Sequence, residues 1–191
     1  VIIVFSVLTY SRNNIWSSEI ALWQDNVEKS PQKDRPQNNL GLAFYNQGHI
    51  EEAKEHYLHA LQINPSYQDA LNNLGIALND LGLTKEAIEH YLQALRINPA
   101  YEKTHNNLGL ALIKQRRSEE AIEHFLQALK INPESEEALN NLGNVLNKLG
   151  RTEEAIGHYI HALRKNPDFE EAHINLGNVY NEQGRTEEAI E

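Results

Sequence analysis

The chain contains no cysteine and no methionine. Without cysteine it can form no disulfide, no zinc–thiolate site and no thiol nucleophile, and either redox compartment suits it. The missing methionine predicts a fragment or a processed chain, since a complete gene product starts with one. Positive charge is also scarce. Lysine and arginine total 17 against 27 acidic residues, for a net charge of −10, so no basic patch speaks for nucleic acid. The G-x-S-x-G elbow, the phosphate loop, the H-E-x-x-H zinc motif and the calcium loop are all absent. Pro65 blocks the one glycosylation sequon, Asn64 to Ser66. The sequence therefore reads as non-catalytic, with no metal, cofactor or small-molecule substrate.

Long apolar runs are missing as well, apart from Val1–Tyr10 at the start. That run is too short to cross a bilayer, which takes about 20 residues. It reads as the end of a membrane helix (residues 1–11), as a signal-peptide remnant, or as an ordinary buried segment. No basic n-region or small-residue cleavage site supports the second reading. The first is favoured because the remaining chain forms a self-contained architecture with no place for such a segment.

Glycine and proline are few, 10 and 6, but their placement is regular. The letters N-N-L-G stand at residues 38–41, 72–75, 106–109 and 140–143, and I-N-L-G at 174–177. Prolines 65, 99, 133 and 167, alanines 53, 87, 121 and 155, and the aromatics Tyr57, Tyr91, Phe125 and Tyr159 step by the same 34 residues. A fixed period of this length indicates stacked repeats. Within residues 68–101 the apolar positions recur at helical spacing, first over Ala70–Leu78 and then over Ala87–Leu95. Gly82 ends the first helix, because glycine takes the left-handed conformation that closes helices. Asn98-Pro99 ends the second. Gly75, inside the first helix, costs about 1 kcal/mol against alanine and predicts close approach of another backbone there.

This pattern resembles the tetratricopeptide repeat family across residues 34–191. The units are 34–67, 68–101, 102–135, 136–169 and a partial 170–191. The resemblance implies an all-α, right-handed α-solenoid of helix–turn–helix repeats. Two departures stand out. The bulky residue early in the first helix is replaced by Gln37, Leu71, His105, Leu139 and His173, and Arg116 stands where other units have the turn glycine. Residues 12–33 are read as a degenerate capping segment, with a helix over 17–29 that packs Ile20, Trp23 and Val27 on the first repeat. No cap follows at the other end, so the period predicts more chain there.

Stacked pairs line an inner face with their first helices. The second asparagine of each pair lies off the apolar stripe there: Asn39, Asn73, Asn107, Asn141 and Asn175. Each offers one acceptor and two donors, suited to gripping a peptide backbone. As surface positions, they should tolerate alanine without loss of stability. Leu42, Ile76 and Leu110 make the neighbouring positions apolar, Asn144 and Asn178 make them polar, and Arg35, Asp69, Lys103, Glu137 and Glu171 vary in sign. An asparagine row like this one is similar to that of repeat-bearing O-linked glycosyltransferases. Chaperone-type carboxylate clamps do not fit, because Asn38, Asn72, Asn106 and Asn107 occupy the phases that need cations. The reading is an interaction scaffold with a protein or peptide partner.

Residues 9–41 also resemble the boundary in membrane glycosyltransferases that carry a repeat arm, through Arg12, Asn13, Trp16, Leu22, Trp23, Pro31 and Arg35. That resemblance implies the alternative of a recruiting arm, membrane-anchored and extracytoplasmic, whose catalytic part lies elsewhere; a cytoplasmic scaffold is the other placement. His56, His90, His124 and His158 also step by 34 and are read as outer-face residues, with Glu52–His56 and Glu86–His90 as i,i+4 pairs.

Overall fold

The computed structural model describes residues 18–185. Among them are ten helices and no strand. They fall into two compact units, one ending at Ile97 and the other starting at Asn98. The first unit holds α1 (Glu19–Lys29), α2 (Asp34–Asn46), α3 (Ile50–Ile63), α4 (Gln68–Asp80) and α5 (Thr84–Ile97). The second holds α6 (Glu102–Lys114), α7 (Ser118–Ile131), α8 (Glu136–Lys148), α9 (Thr152–Lys165) and α10 (Glu170–Glu182). In the first unit α2 packs on α3 and α4 on α5, and α3 joins the two hairpins by packing on α4. In the second, α6 packs on α7 and α8 on α9, with α7–α8 and α9–α10 as the joining contacts. The Val1–Tyr10 segment and the Arg12–Trp16 part of the join lie outside the described residues. No helix among the described residues is long and apolar enough to cross a membrane.

Several helix ends have a local cause. Ser18 starts α1 by accepting the Ala21 amide hydrogen at 3.1 Å. The helix then packs on α2, with Ile20, Trp23 and Val27 half-buried. The second helices end at asparagine, whose side chain accepts the amide two residues on across the proline. Asn64, Asn98, Asn132 and Asn166 do so at 3.1, 3.0, 3.2 and 3.2 Å. Between paired helices the turn closes with two backbone bonds. In one, Leu83 N–H reaches Leu78 C=O at 2.8 Å and Gly82 N–H reaches Asn79 C=O at 3.3 Å. Gly82 has φ +80° there.

Arg116 holds φ +60° at the same point of its turn. Its bonds are unchanged: Arg117 N–H to Leu112 C=O at 3.0 Å and Arg116 N–H to Ile113 C=O at 2.9 Å. The turn has kept its shape, and a side chain with a β-carbon bears the strain.

The core repeats with the sequence. Leu40, Leu74, Leu108 and Leu142, with Ala53, Ala87, Ala121 and Ala155, are all at most 2% exposed. At the first-helix glycines, the approach expected from a backbone comes instead from an aromatic ring. A β-carbon on Gly75 would lie 2.5 Å from Tyr91 Cε1, and one on Gly109 or Gly143 2.5 Å from Phe125 or Tyr159 Cε1. At Gly41 the ring of Tyr57 stands 2.7 Å away, and a backbone atom, Ala53 O at 3.0 Å, shares the contact. The four rings are 1% exposed, and burying each contributes about 1.5–3 kcal/mol.

The repeating histidines are half-buried rather than on the outer face. His56 and His124 point back at the position where the first helix has lost its bulky residue. His56 Nδ1 meets Gln37 Oε1 at 2.9 Å, and its ring stacks on Phe44 at 5.3 Å. His124 Nδ1 meets His105 Nδ1 at 3.0 Å, and His105 Nε2 meets the Pro99 carbonyl at 3.0 Å. Leu71 offers no such atom, and His90 Nδ1 is buried without a partner. Glu52 pairs with His49, at 3.3 Å, in place of His56. Burial holds all four repeating histidines below the ordinary imidazole range. Neighbouring His59, His105 and His161 push His56, His124 and His158 further down, while Glu55, Glu86, Glu89, Glu120 and Glu154 oppose the shift.

Three outcomes follow from this packing. Gly109→Ala should lower stability although alanine is the better helix former by about 1 kcal/mol, because overpacking against the Phe125 ring costs about 1–3 kcal/mol; a raised denaturation midpoint would refute the ring contact. Arg116→Gly should raise stability by about 1 kcal/mol, read from urea melts, and no gain would mean the turn is unstrained. Because the folded histidines bind protons more weakly than the unfolded chain, their contribution is complete above about pH 6.5 and is lost as pH falls through the folded values. The melting temperature should drop between neutral pH and pH ~5.5. Replacing His56, His90, His124 and His158 with glutamine should flatten that drop, and an unchanged slope would assign it to other groups.

Candidate functional site

The first helices α2, α4, α6, α8 and α10 carry the N-N-L-G motif and its fifth copy. The first asparagine of each pair is buried: Asn38 and Asn72 are 4% exposed, and Asn106 and Asn140 6%. The second is half-buried. In the first unit Asn73 Nδ2 donates to Asn38 Oδ1 at 3.1 Å, and Asn38 Nδ2 donates to Asn39 Oδ1 at 3.3 Å. In the second unit Asn141 Nδ2 donates to Asn106 Oδ1 at 3.0 Å, and Asn175 Nδ2 to Asn140 Oδ1 at 2.9 Å. Within each unit the row is thus a ladder that ties one repeat to the one before it.

This corrects the expectation that alanine is harmless there. Removing Asn141 would leave the oxygen of a buried asparagine unpaired, which costs about 1–3 kcal/mol. Each ladder amide still has capacity beyond its rung, since an asparagine has two donors and two acceptor lone pairs.

The apolar positions beside the ladder are open. Leu42 is 38% and Leu110 39% exposed, and Ile76 is half-buried. Asn144, in the same phase, accepts the Tyr159 hydroxyl hydrogen at 2.7 Å. It serves the core rather than the open face, and burial pushes that hydroxyl up to about 12. Asn178 is exposed.

In the second unit these positions border a cavity of 320 Å³. Asn106, Asn107 and Leu110 of α6 form one side. Glu137, Asn140 and Asn141 of α8 form the middle, and Phe169 and Glu171 close the far side at the start of α10. The predicted Asn107, Asn141 and Leu110 are therefore brought together. Asn175 lies outside the lining, and Asn39, Asn73, Leu42 and Ile76 belong to the first unit. Sequence reading missed Phe169 and the buried Asn106 and Asn140. Phe169 follows Tyr67 and Tyr101 by whole periods, so a search for periodic aromatics would have found it. Nothing in the sequence separates the inward asparagine from the outward one.

A second cavity of 320 Å³, in the first unit, is lined mostly by apolar side chains, with His90 and Leu71 among them. Among the described residues no group of three or more histidines and carboxylates could hold a metal ion.

Known proteins place this geometry. Residues 41–82 and 143–184 match a family described as TPR repeat, and residues 66–134 and 124–157 match two described as tetratricopeptide repeat. These matches start at residue 41 and do not cover the membrane-enzyme resemblance of the N-terminal join. No curated protein matches at the sequence level. Among solved structures, MamA is similar with a TM-score of 0.69 and 25% identity, covering 79% of this chain and 88% of its own. YrrB, described as a TPR protein with an unusual peptide-binding site, is similar with a TM-score of 0.67 and 23% identity, over 87% and 86%. PilF of Pseudomonas aeruginosa reaches 0.79 at 19% identity, over 97% and 84%. The family matches overlap to span residues 41–184 without a break, so this chain belongs to the tetratricopeptide repeat family.

Proposed function

We propose that this chain is a protein-interaction scaffold that holds an extended segment of a partner protein against its first helices. The observation that carries the reading is the second-unit cavity, where amides and an exposed leucine meet. Asparagines at 107 and 141 suit a peptide backbone, which presents one donor and one acceptor per residue. Leu110 gives an apolar side chain of that peptide a place to bury. A row of amides reads main chain, so affinity comes with loose sequence preference. YrrB has the same fold and is described as having a peptide-binding site, which supports the architecture as one that accepts such a ligand.

Leu110 is the residue to test, because it takes no part in the ladder and its loss leaves no buried group unpaired. Binding of fluorescein-labelled peptides of the repeating sequence Gln-Pro-Leu is measured by anisotropy. Leu110→Ser should weaken binding about tenfold, the loss expected from one apolar side-chain contact, with an unchanged melting temperature. A variant that binds the peptide as tightly as the parent would end the assignment of this face.

A further inference from the structure

The same cavity holds two features that a general backbone-gripping surface does not need. One is a pair of amide donors without a protein partner. Asn106 and Asn140 line the cavity, are 6% exposed, and spend their oxygens on the ladder. Their amide nitrogens have no partner among the described residues. In the first unit the equivalent nitrogens of Asn38 and Asn72 donate to Asn39 and Asn73. Two amide groups with N–H donors that no protein atom occupies thus line the opening, and an occupant that supplies carbonyl oxygens would accept from them.

The other feature is charge. Glu137 and Glu171 line the cavity, are exposed, and neither forms an ion pair among the described residues. The helix dipole accounts for an acid in a first turn. It does not account for two carboxylates that stand beside amides with spare donors in the same cavity, one repeat apart. Lys103 occupies the same phase one repeat earlier, so the sign reverses at that edge.

Resting on the scaffold reading above, we propose that the second-unit cavity selects an extended, polyproline-like segment carrying lysine or arginine three residues apart. The spacing comes from two repeats meeting each other. Helices α8 and α10 touch, and packed helices lie about 8–10 Å apart. A polyproline helix has about three residues per turn and rises about 3.1 Å per residue, so side chains at i and i+3 share a face about 9 Å apart. One cation then meets Glu137 and the next Glu171, while the carbonyls between them face Asn140. A β-strand would fit less well, because its same-face residues fall about 7 or 13 Å apart.

The probes are three labelled dodecapeptides that repeat Lys-Pro-Leu, Gln-Pro-Leu or Glu-Pro-Leu. The intact chain should bind the lysine peptide about tenfold more tightly than the glutamine one, and the glutamate peptide least. The variant carrying Glu137→Gln and Glu171→Gln should bind lysine and glutamine peptides equally and keep the parent's affinity for the glutamine peptide. Equal affinity of the parent for all three would overturn the basic preference while leaving the scaffold reading intact. A lysine preference that survives the double variant would also overturn it, assigning the attraction to the net charge of −10. If the parent binds none of the three, both readings fail together.

Discussion

The contact between a glycine and an aromatic ring sets the distance between paired helices, and much else depends on that distance. A ring edge where a β-carbon would stand leaves no slack: Tyr91, Phe125 and Tyr159 each reach within 2.5 Å of it. With the first and second helices pinned so closely, only alanine fits at 53, 87, 121 and 155 on the facing helix, all of them fully buried. The leucine beside each glycine fills what remains. Protein interiors resist such local changes because they are packed to crystal-like density. That is the physical reason the same letters return every 34 residues.

The asparagines solve a different problem. Helices of successive repeats meet along a face that is partly open to solvent, where hydrophobic packing alone would expose apolar surface. Amide rungs such as Asn73 to Asn38 and Asn141 to Asn106 join repeats through polar groups that water does not harm. The same side chains keep spare donors and acceptors. In the proposed function, stability between repeats and recognition on the open face would therefore draw on the same asparagines.

Drift along the array is compensated in pairs. Gln37 and His105 replace a bulky apolar residue, and each finds a histidine of the following helix as its partner. Leu71 does not, and His90 is left with an unpaired nitrogen. The histidines lie 19 residues from their partners in sequence, a separation that no helical periodicity reveals. Burial, and the lowered proton affinity that comes with it, is shared by all four repeating histidines, paired or not.

The period determined the helix–turn–helix unit, its boundaries, the buried leucine and alanine positions and the strained turn at Arg116. These depend on local backbone chemistry and on 34-residue phase, both written in one dimension. The N-N pairs marked a row that repeats in phase, but not which asparagine points inward. Both positions carry the same residue, and only the contact between neighbouring repeats tells them apart. The histidines were assigned to the wrong face because a half-buried position at the edge of the apolar stripe has the same spacing as an exposed one. The ring above each glycine, the ladder from repeat to repeat, and the cavity that collects Asn106, Asn140, Glu137 and Glu171 were decided by packing in three dimensions, where residues far apart in sequence first come within reach of each other.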